Sequence, residues 1–404
     1  MPLEIPTTDS LTLQRSGIAE EANSRPQWRD AVAECLFHTG ALRMLQAVTR
    51  KYEFRESSGR GLLPSRRAGY PKFLILCYHR IGTSGIPLFS ELRPAIFEAQ
   101  MQYIRRRYRI LSLDEMCDEM DSPSHKVDAI AVTFDDGYRD LHTHALPVLR
   151  KYQIPATIFL PVASIETGQV PWYDRIFLAL QVFPGKQCEI ILDRQRNFQL
   201  TSFHARLAAA AEIIQYLRTL PDDHRKEYCA AWEEQFILPQ DELKDRMLTW
   251  EQIRSMSREG ITFGSHTMTH PAVSRLTQSQ LDIELGESKR VLEDRVGGPA
   301  LHFAYPFGKP ADCGAAGLPF LVRNGYRSAS TTVEGVNEPG DNRFELRRSQ
   351  VGNERSLPMF AFKLNRLFLS SQAQDATTTR LSVAPVSGEH LPESSGHRPR
   401  ATNA

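Results

Sequence analysis

Short runs of apolar residues alternate with amphipathic stretches through most of the chain, from residue 72 to residue 360. The runs are apolar at consecutive positions, as is typical of strands that are buried on both faces of a sheet. The predicted strands are Phe73–Tyr78, a weaker one near Tyr108–Leu113, Ala129–Phe134, Ala156–Leu160, Ile261–Gly264, His302–Tyr305, Tyr326–Ala329 and Phe344–Val351. The predicted helices are Pro94–Arg107, Leu113–Met120, Asp140–Tyr152, Trp250–Arg258, Thr277–Arg295 and Ala311–Asn324. This alternation predicts an α/β fold with a parallel sheet, and seven or eight such units favour a β/α barrel.

The alternation is interrupted between about residues 171 and 249. There, Arg206–Leu217 and Asp223–Gln235 have the periodicity of amphipathic helices. A long insertion after a barrel strand lies over or beside the carboxyl ends of the strands, where β/α barrels build their sites. We therefore predict a helical insertion that caps the site.

The two ends of the chain have other patterns. Residues 1–71 form a predicted N-terminal extension, in which apolar positions between Trp28 and Tyr52 indicate an amphipathic helix. Residues 371–404 are rich in Ser, Thr and Pro and have no periodicity, so they are predicted to be a disordered tail. The region from 72 to 360 is the predicted barrel domain.

Composition and charge narrow the class of protein. The chain has 404 residues, of which 49 are Lys or Arg and 48 are Asp or Glu, and its formal net charge is +1. Proteins that bind phosphate backbones usually carry a basic excess, so this near-cancellation argues against a nucleic-acid partner. No apolar run approaches the ~18 residues of a membrane-spanning helix, so no membrane span is predicted.

The N-terminus has neither a basic region nor an apolar region of the kind found in secretory signals, and we expect a cytoplasmic protein. Basic residues flank the N-terminal amphipathic helix and leave peripheral membrane contact open, although packing of that helix on the barrel is favoured. The six cysteines include no CxxC pair and are predicted to be reduced core thiols.

Two adjacent carboxylates, Asp135 and Asp136, come directly after a predicted strand and before Gly137. This position is the carboxyl end of a strand, which is the catalytic edge of a parallel β/α fold. Asp-Asp-Gly is also ordinary turn chemistry, so this segment alone leaves a structural turn as an equal alternative.

The segment Gly264–Pro271 follows another predicted strand and carries His266 and His270. Histidines at i and i+4 lie on one face if the segment is helical, and they can then chelate a metal ion. A chance HxxxH is common in a chain with 12 histidines. Two imidazoles and one carboxylate, however, form the open three-ligand set of a catalytic zinc site. One of the two neighbouring aspartates would supply that carboxylate.

Adjacent aspartates need not share one role, because one can bind the metal while the other acts as general base toward a water molecule. A third segment, Phe303–Gly308, also ends a predicted strand. Its Pro-Phe-Gly turn could present a backbone N–H to a developing oxyanion, although by itself it is merely a turn. Three such segments, each at the end of a predicted strand, indicate a catalytic site more specifically than any one of them does.

Together these segments resemble the polysaccharide deacetylase family, the NodB-homology or carbohydrate esterase 4 group. The resemblance rests on Thr133–Gly137 (TFDDG), Ser265–Pro271 (SHTMTHP) and Tyr305–Gly308 (YPFG), and it covers roughly residues 72–352. Leu76–Ile81 and Tyr326–Thr332 resemble the branch found with bacterial exopolysaccharide and lipochitooligosaccharide genes. The resemblance implies a distorted (β/α)7 barrel that hydrolyses N- or O-acetyl groups from sugars with zinc or a similar divalent ion.

Carried over residue by residue, the resemblance makes Asp135 the general base and makes Asp136, His266 and His270 the metal ligands. It makes the backbone N–H of Phe307 an oxyanion donor. The expected ion is Zn²⁺, with Co²⁺ and Ni²⁺ as alternatives. The expected partner is an acetylated carbohydrate, such as an N-acetylated oligo- or polysaccharide precursor, that is hydrolysed with release of acetate.

Two parts of the family pattern are missing. Ala304 stands where many members have an arginine that hydrogen-bonds the base aspartate. The last predicted strand also lacks the Leu-x-His motif whose histidine protonates the leaving amine. His79 is the best substitute for this acid, with a buried structural histidine as an equal alternative. Arg347 or Arg348 could replace the missing arginine, but an exposed strand-end arginine is the favoured interpretation.

Aromatic residues near the predicted site offer apolar surface to a sugar ring. Trp172, Tyr173 and Tyr305 are therefore candidate substrate contacts, and core packing of Trp172 is an equal alternative. His302 lies within a strand, so a structural role is favoured. Because of the missing parts, two other functions stay open. One is a catalytically silent carbohydrate-binding or scaffold protein of exopolysaccharide biosynthesis, and the other is a metal hydrolase of the same fold that acts on a non-sugar amide.

Overall fold

Eight strands among the described residues form a parallel sheet that curls into a nearly closed barrel. The strands of the structure are β1 (Phe73–Tyr78), β2 (Arg109–Ile110), β3 (Ala129–Phe134), β4 (Ala156–Leu160), β5 (Gln187–Ile191), β6 (Gln195–Gln199), β7 (Ile261–Ser265), β8 (His302–Ala304), β9 (Ser328–Ser330) and β10 (Arg348–Gln350). Seven of them follow the order β10-β1-β3-β4-β7-β8-β9, and β2 pairs with β3. The remaining two, β5 and β6, form a separate antiparallel hairpin.

This computed structural model describes residues 33–34, 36–37, 70–83, 91–236, 238, 243, 245–352 and 356–369. The predicted disordered tail and nearly all of the predicted N-terminal extension lie outside these residues. Within the extension, Ala33, Glu34, Leu36 and Phe37 are helical, and Phe37 packs on Tyr103, with 6.1 Å between the ring centroids.

The barrel closes between β9 and the segment that leads into β10. Ser330 forms a parallel bridge with Leu346, and the N–H of Leu346 donates to the carbonyl of Ala329 over 2.9 Å. A bridge one residue wide replaces a full strand pairing at this point, which makes the barrel distorted. The predicted (β/α)7 architecture is therefore confirmed.

Helices surround the barrel. They are α1 (Pro94–Arg107), α2 (Leu113–Asp121), α3 (Leu146–Tyr152), α4 (Val162–Thr167), α5 (Trp172–Val182), α6 (Phe203–Leu217), α7 (Asp222–Gln235), α8 (Trp250–Arg258), α9 (Gln278–Leu281), α10 (Ser288–Val296), α11 (Pro310–Cys313), α12 (Leu318–Arg323) and α13 (Leu357–Leu369). A π-helical turn, Leu141–Ala145, precedes α3, and a second one, Asp282–Glu287, joins α9 to α10. Single 3₁₀ turns lie at Val273–Arg275, Ala315–Gly317 and Arg343–Glu345. None of the described helices is both long and apolar enough to cross a membrane.

The interior of the barrel is apolar near the amino ends of the strands and polar near their carboxyl ends. Phe73 and Ile75 of β1 and Ala129 and Ala131 of β3 belong to a small apolar cluster inside the barrel. Side chains alternate between the faces of a strand, so the next inward residues of β3 are Thr133 and then Asp135 just beyond it. The carboxyl ends of the strands therefore place polar side chains in a buried position, and the amino ends are filled with apolar ones.

The insertion contains two elements that the sequence pattern did not predict. Besides the expected helices α6 and α7, it has helix α5 and the β5-β6 hairpin. Cys188, Ile190 and Phe198 of the hairpin are buried, while the alternate residues of β5 are exposed. Such alternation is typical of a strand with one buried face, so the insertion is helical with one added hairpin.

The described cysteines are all free and buried, in agreement with the prediction. They are Cys77, Cys117, Cys188, Cys229 and Cys313. Each thiol has a raised pKa because it is buried, so the thiols stay protonated at neutral pH.

Candidate metal-dependent active site

The carboxyl end of β3 presents both aspartates of the Asp-Asp-Gly segment. The N–H of Asp135 donates to the carbonyl of Tyr78 over 2.9 Å, which extends the pairing of β3 with β1. The chain then turns through Asp136 and Gly137, whose φ angles are 71° and 68°. A Cβ on Gly137 would lie 2.4 Å from a methyl group of Leu160, so only glycine fits there. This turn buries both carboxylates, which are 1 % exposed.

The two histidines lie in a loop after β7, not on a helix. Thr267 and His270 have positive φ angles of 69° and 59°, so the helical geometry considered for this segment was wrong. The hydroxyl of Ser265 accepts from the Thr267 N–H over 3.1 Å, and the Thr267 hydroxyl accepts from the His270 N–H over 2.9 Å. These hydrogen bonds fold the loop so that the two imidazoles face each other, with 4.7 Å between ring centroids.

A buried glutamate holds the same loop from outside. Glu284, in the second π-helical turn, accepts from the N–H groups of Met268 and Thr269, each over 2.8 Å, and from the Thr269 hydroxyl over 2.7 Å. Sequence reasoning missed this residue. Glu284 lies 14 positions after His270 in the sequence, and this separation matches no pattern that could have indicated its contact with the histidine loop.

Three donor atoms meet between the strand ends. Oδ1 of Asp136 lies 3.7 Å from Nε2 of His266 and 3.5 Å from Nε2 of His270. Two ligands of a tetrahedral ion with bonds of ~2.1 Å are about 3.4 Å apart, so these distances suit a metal such as zinc. Moreover, Oδ1 of Asp136 is buried and accepts no hydrogen bond from the part of the chain that the structure describes.

The protonation states also suit a cation. Burial, followed by repulsion from Asp135, raises the pKa of Asp136 well above its usual range. Burial lowers the pKa of His266 to about 4, and it also lowers the pKa of His270 well below its usual range. The Nδ1 atom of His266 lies 2.7 Å from the carbonyl of Ala304, so this nitrogen carries the proton and Nε2 is free to bind. The donor set therefore offers neutral imidazoles beside a carboxylate that a positive charge would stabilise.

Asp135 forms a two-pronged ion pair with Arg348. The two terminal nitrogens of the guanidinium donate to the two oxygens of the carboxylate, each over 2.7 Å. Arg348 is 0 % exposed, so the expectation of an exposed strand-end arginine was wrong for this residue. Burial alone would raise the pKa of Asp135, but the charge of Arg348 outweighs it and holds that pKa far below its usual range. Arg348 thus forms the ion pair to Asp135 that the family pattern assigns to the arginine absent at position 304.

His79 and Cys77 lie on the other side of this aspartate. Nε2 of His79 is 4.0 Å from Oδ2 of Asp135, and 18 % of the His79 side chain is exposed. The thiol of Cys77 lies 3.4 Å from the same oxygen. Burial lowers the pKa of His79, so its imidazole is neutral at pH 7. His79 is thus placed at the edge of the site, beside Asp135.

The Pro-Phe-Gly turn covers the histidine loop. Phe307 has a φ of 60°, and its ring packs on His270 with 5.0 Å between centroids. The N–H of Phe307 donates to no acceptor among the described residues. The turn is fixed from behind, because the Thr332 N–H donates to the Gly308 carbonyl over 2.9 Å.

The candidate sugar-binding aromatic residues are buried. Nε1 of Trp172 donates to the carbonyl of His270 over 3.1 Å, and the ring of Tyr173 packs on the His270 imidazole with 4.8 Å between centroids. The Tyr305 hydroxyl donates to the carbonyl of Phe344 over 3.2 Å. All three residues are at most 3 % exposed, and these contacts favour the packing alternative for each of them.

His302 has the contacts of a structural residue. Its Nδ1 lies 2.8 Å from the Ser328 hydroxyl, and its Nε2 lies 3.4 Å from a carboxylate oxygen of Asp114. The interaction with His302 lowers the pKa of Asp114 to about 2. This pair ties β8 to β9 and α2, away from the three donor atoms.

The comparisons with known proteins agree with this arrangement. Residues 122–313 match the family model "Polysaccharide deacetylase", and the matched range contains all three strand-end segments. The curated protein YxkH of Bacillus subtilis (strain 168) is 24% identical over 284 residues, which cover 69% of this chain and 71% of that protein.

Solved structures are similar at lower identity. The deacetylase PplD of Streptococcus pyogenes, solved with acetate, is 19% identical with a TM-score of 0.49, and the match covers 73% of this chain and 98% of that one. BC0361, a polysaccharide deacetylase from Bacillus cereus, is 20% identical with a TM-score of 0.47, over 74% of this chain and 70% of that one. The chain therefore contains a polysaccharide deacetylase domain, over residues 122–313.

Proposed function

We propose that the protein removes acetyl groups from an acetylated carbohydrate, and that it does so with a divalent metal ion held by Asp136, His266 and His270. The observation that carries this proposal is the convergence of three donor atoms within 4.8 Å of one another at the carboxyl ends of the strands. Two imidazoles and a carboxylate are borderline ligands that suit Zn²⁺, with Co²⁺ or Ni²⁺ as alternatives. When bound, such an ion supplies Lewis-acid polarisation of a water molecule and of the acetyl carbonyl.

Asp135 is the proposed general base. Its pairing with Arg348 keeps the carboxylate ionised in a buried place, 4.0 Å from Nε2 of His266. A carboxylate held in this way can take a proton from a water molecule that attacks the acetyl carbon. Arg348 fixes the orientation of the carboxylate and is a positioning residue.

The N–H of Phe307 is the proposed donor to the oxyanion that develops on the carbonyl oxygen. An N–H in a fixed turn needs no reorganisation when charge develops. His79 is the proposed acid. Its neutral imidazole lies 4.0 Å from Oδ2 of Asp135, which is within reach through one bridging water molecule. By that route it would take up the proton that Asp135 removes from the attacking water, and it would donate this proton to the amine nitrogen as the bond to the acetyl carbon breaks. The products are acetate and a free amino sugar.

The proposal favours an enzyme over the silent carbohydrate-binding alternative. That alternative rested on the missing arginine and the missing terminal histidine. Arg348 supplies the ion pair to Asp135, and His79 lies 4.0 Å from the same carboxylate. The experiment below also distinguishes an acetylated carbohydrate from a non-sugar amide as the substrate.

The test is acetate release from N-acetylglucosamine oligomers and from acetylated xylan, measured beside the metal content of the purified protein. We expect the wild type to release acetate, and we expect Asp136→Ala and His270→Ala to lose both bound metal and acetate release. His224→Ala is a matched control, because His224 is an exposed residue of α7. A metal-free variant with full activity, or a wild type inactive on every acetylated sugar, would contradict the proposal.

A further inference from the structure

A second set of metal-binding side chains lies beside the proposed general base. Cys77, His79 and Asp135 each bring one donor atom into a group whose members lie within 4.8 Å of one another. The thiol sulfur of Cys77 is 3.4 Å from Oδ2 of Asp135, and Nε2 of His79 is 4.0 Å from the same oxygen. None of these three side chains belongs to the donor set proposed above for the catalytic ion.

Strand β1 directs two of these donors into the barrel. Ile75 of β1 belongs to the small apolar cluster of the interior, and side chains alternate between the two faces of a strand. Cys77 is therefore the next inward residue of β1, and His79 follows just beyond the end of the strand. Cys77 pairs with Thr133 of β3, two positions before Asp135. The parallel pairing of β1 with β3 thus brings the three side chains together.

The donor set suits zinc or cobalt. In a tetrahedral zinc site with bonds of ~2.3 Å to sulfur and ~2.1 Å to nitrogen or oxygen, sulfur and oxygen ligands are about 3.6 Å apart and nitrogen and oxygen ligands about 3.4 Å. The first observed distance agrees with this geometry. The second requires a small movement of His79, whose side chain is 18% exposed. A thiolate and an imidazole also favour zinc and cobalt over magnesium, which prefers oxygen ligands.

Asp135 can bind a metal ion without releasing Arg348. The guanidinium donates one hydrogen bond to each carboxylate oxygen, and a carboxylate has about four lone-pair sites. Oδ2 lies 4.0 Å from Nε2 of both His79 and His266, so it is the oxygen between the two sets of donors. An ion bound to Oδ2 would occupy the lone pair with which Asp135 accepts a proton from water.

A second ion should bind more weakly than the catalytic ion. The charge of Asp135 is already engaged by Arg348, and a nearby catalytic ion repels another divalent cation. The thiol of Cys77 must also lose its proton, and burial raises the pKa of that thiol. The metal ion takes the place of the proton, which is released to solvent. The resulting thiolate cancels one of the two positive charges that the ion brings, so Cys77 is the ligand on which this site depends.

We propose that Cys77, His79 and Asp135 form a second, inhibitory site for zinc or a similar divalent ion. The inhibition rests on the proposed function, because the ion binds the proposed base and the proposed acid together, whereas the binding itself does not. Zinc therefore activates the enzyme when one ion is bound and inhibits it when a second ion binds.

Cobalt is the probe that tests this inference. A thiolate bound to Co²⁺ gives a charge-transfer absorption band in the near ultraviolet, and an ion held only by imidazoles and a carboxylate lacks that band. Cobalt would be added stepwise to the chelator-treated protein, from less than one ion per chain to a large excess. Absorbance and acetate release from an N-acetylglucosamine oligomer would be followed together.

We expect acetate release to rise with the first ion and then to fall at least about tenfold as the second site fills, because the contribution of the general base is lost. The near-ultraviolet band should appear over the same range of cobalt concentration as the fall. Zinc should give the same rise and fall in activity. Magnesium, added in the same excess to protein that carries one cobalt ion, should cause neither the band nor the fall.

Substitution of Cys77 distinguishes this site from unspecific binding. In both Cys77→Ala and Cys77→Ser, we expect no band, and we expect activity to stay at the maximum that each variant reaches with its first ion. Each variant is compared with its own maximum, so a change in basal activity does not affect the result. Cys117→Ala is the matched control, because Cys117 is also a free, buried thiol but lies on α2. Thermal unfolding checks that each variant is folded.

The outcomes separate the two proposals. A wild type without the band in excess cobalt, a band that persists in the Cys77 variants, or a band without any fall in activity would overturn the inference and leave the proposed function standing. If the wild type releases acetate from no acetylated sugar at any metal content, the proposed function fails and the inhibition fails with it. The band then still reports whether Cys77 binds a metal ion.

Discussion

At the residue scale, the ion pair between Asp135 and Arg348 has the largest consequences. Both side chains are buried, and removing one partner of such a pair leaves an unpaired charge at a cost of about 3–5 kcal/mol. The pair therefore couples the stability of the barrel to the protonation state of the proposed base.

We expect Arg348→Met to abolish acetate release and to lower the free energy of unfolding by about 3–5 kcal/mol. Arg348→Lys keeps the charge but not the two parallel hydrogen bonds. The pKa of Asp135 should then rise, and the acid limb of the pH–rate profile should move to higher pH. The neighbouring Arg347→Met is the control, since Arg347 is partly exposed. An unchanged acid limb in Arg348→Lys would show that this arginine does not set the protonation of the base.

Asp174 gives a second prediction at this scale. Burial raises its pKa to about 6, although the Tyr138 hydroxyl opposes the shift. A carboxyl whose folded-state pKa is raised costs stability above that pKa, and the cost disappears as pH falls below the unfolded pKa of about 3.9.

The Asp174→Asn variant removes this cost and retains an acceptor for Tyr138. We expect it to have a higher melting temperature than the wild type at pH 8, and we expect the difference to shrink as pH falls from 6 toward 4. Thermal unfolding followed by circular dichroism at several pH values measures it. A pH-independent difference would mean that Asp174 does not titrate in this window.

At the element scale, the sequence predicted most strands and helices because their cause is local. β1 and β3 are buried along their whole length, and consecutive apolar residues are a direct sign of that burial. The segments with Asp136 and His270 each follow one of the predicted strands. They were correctly predicted to lie at one edge of the sheet, because parallel strands bring their carboxyl ends together.

Features that depend on tertiary contacts were not predictable from local patterns. Arg348 lies in a strand of three residues, and no spacing indicates that its side chain turns inward to Asp135, 213 positions away. The predicted helix Thr277–Arg295 is interrupted by the π-helical turn that carries Glu284. A π-helical turn adds a residue to the helical register and is common at functional sites, but its position depends on the contact that it makes.

That turn leads to a prediction about the histidine loop. In Glu284→Ala, two backbone N–H groups and the Thr269 hydroxyl lose their acceptor, and the loop with His266 and His270 loses its support. We expect the affinity for zinc to fall about 10–100-fold, as for other outer contacts of metal ligands. Competition with a chromogenic chelator measures this affinity. Glu287→Ala is the control, because Glu287 lies in the same turn and is exposed; equal affinities in both variants would contradict the role given to Glu284.

At the scale of the whole molecule, the site joins distant parts of the barrel. Asp136 follows β3, the histidine loop follows β7, and Arg348 lies in β10, so these three elements must be assembled before the site exists. A ligand that binds only the folded state stabilises it by mass action.

We therefore expect zinc at about a thousand times its dissociation constant to stabilise the chelator-treated wild type by about 4 kcal/mol. The melting temperature should rise accordingly, and His270→Ala should show little shift. Differential scanning calorimetry with and without zinc provides the measurement. An equal shift in wild type and variant would place the ion elsewhere.

The insertion also belongs to this scale. Arg225 of α7 lies over the ring of Trp172, 5.1 Å from its centroid, and Trp172 donates to the carbonyl of His270. The insertion therefore supports the candidate metal ligand His270 through Trp172.

The most direct test of the account is reconstitution of the metal-free enzyme. The protein would be stripped with a chelator, its residual metal measured by mass spectrometry, and zinc added back stepwise while acetate release from an N-acetylglucosamine oligomer is followed. We predict no activity without metal and a linear recovery that saturates at one ion per chain. Full activity in protein shown to contain no metal, or no recovery with zinc, cobalt or nickel, would contradict it.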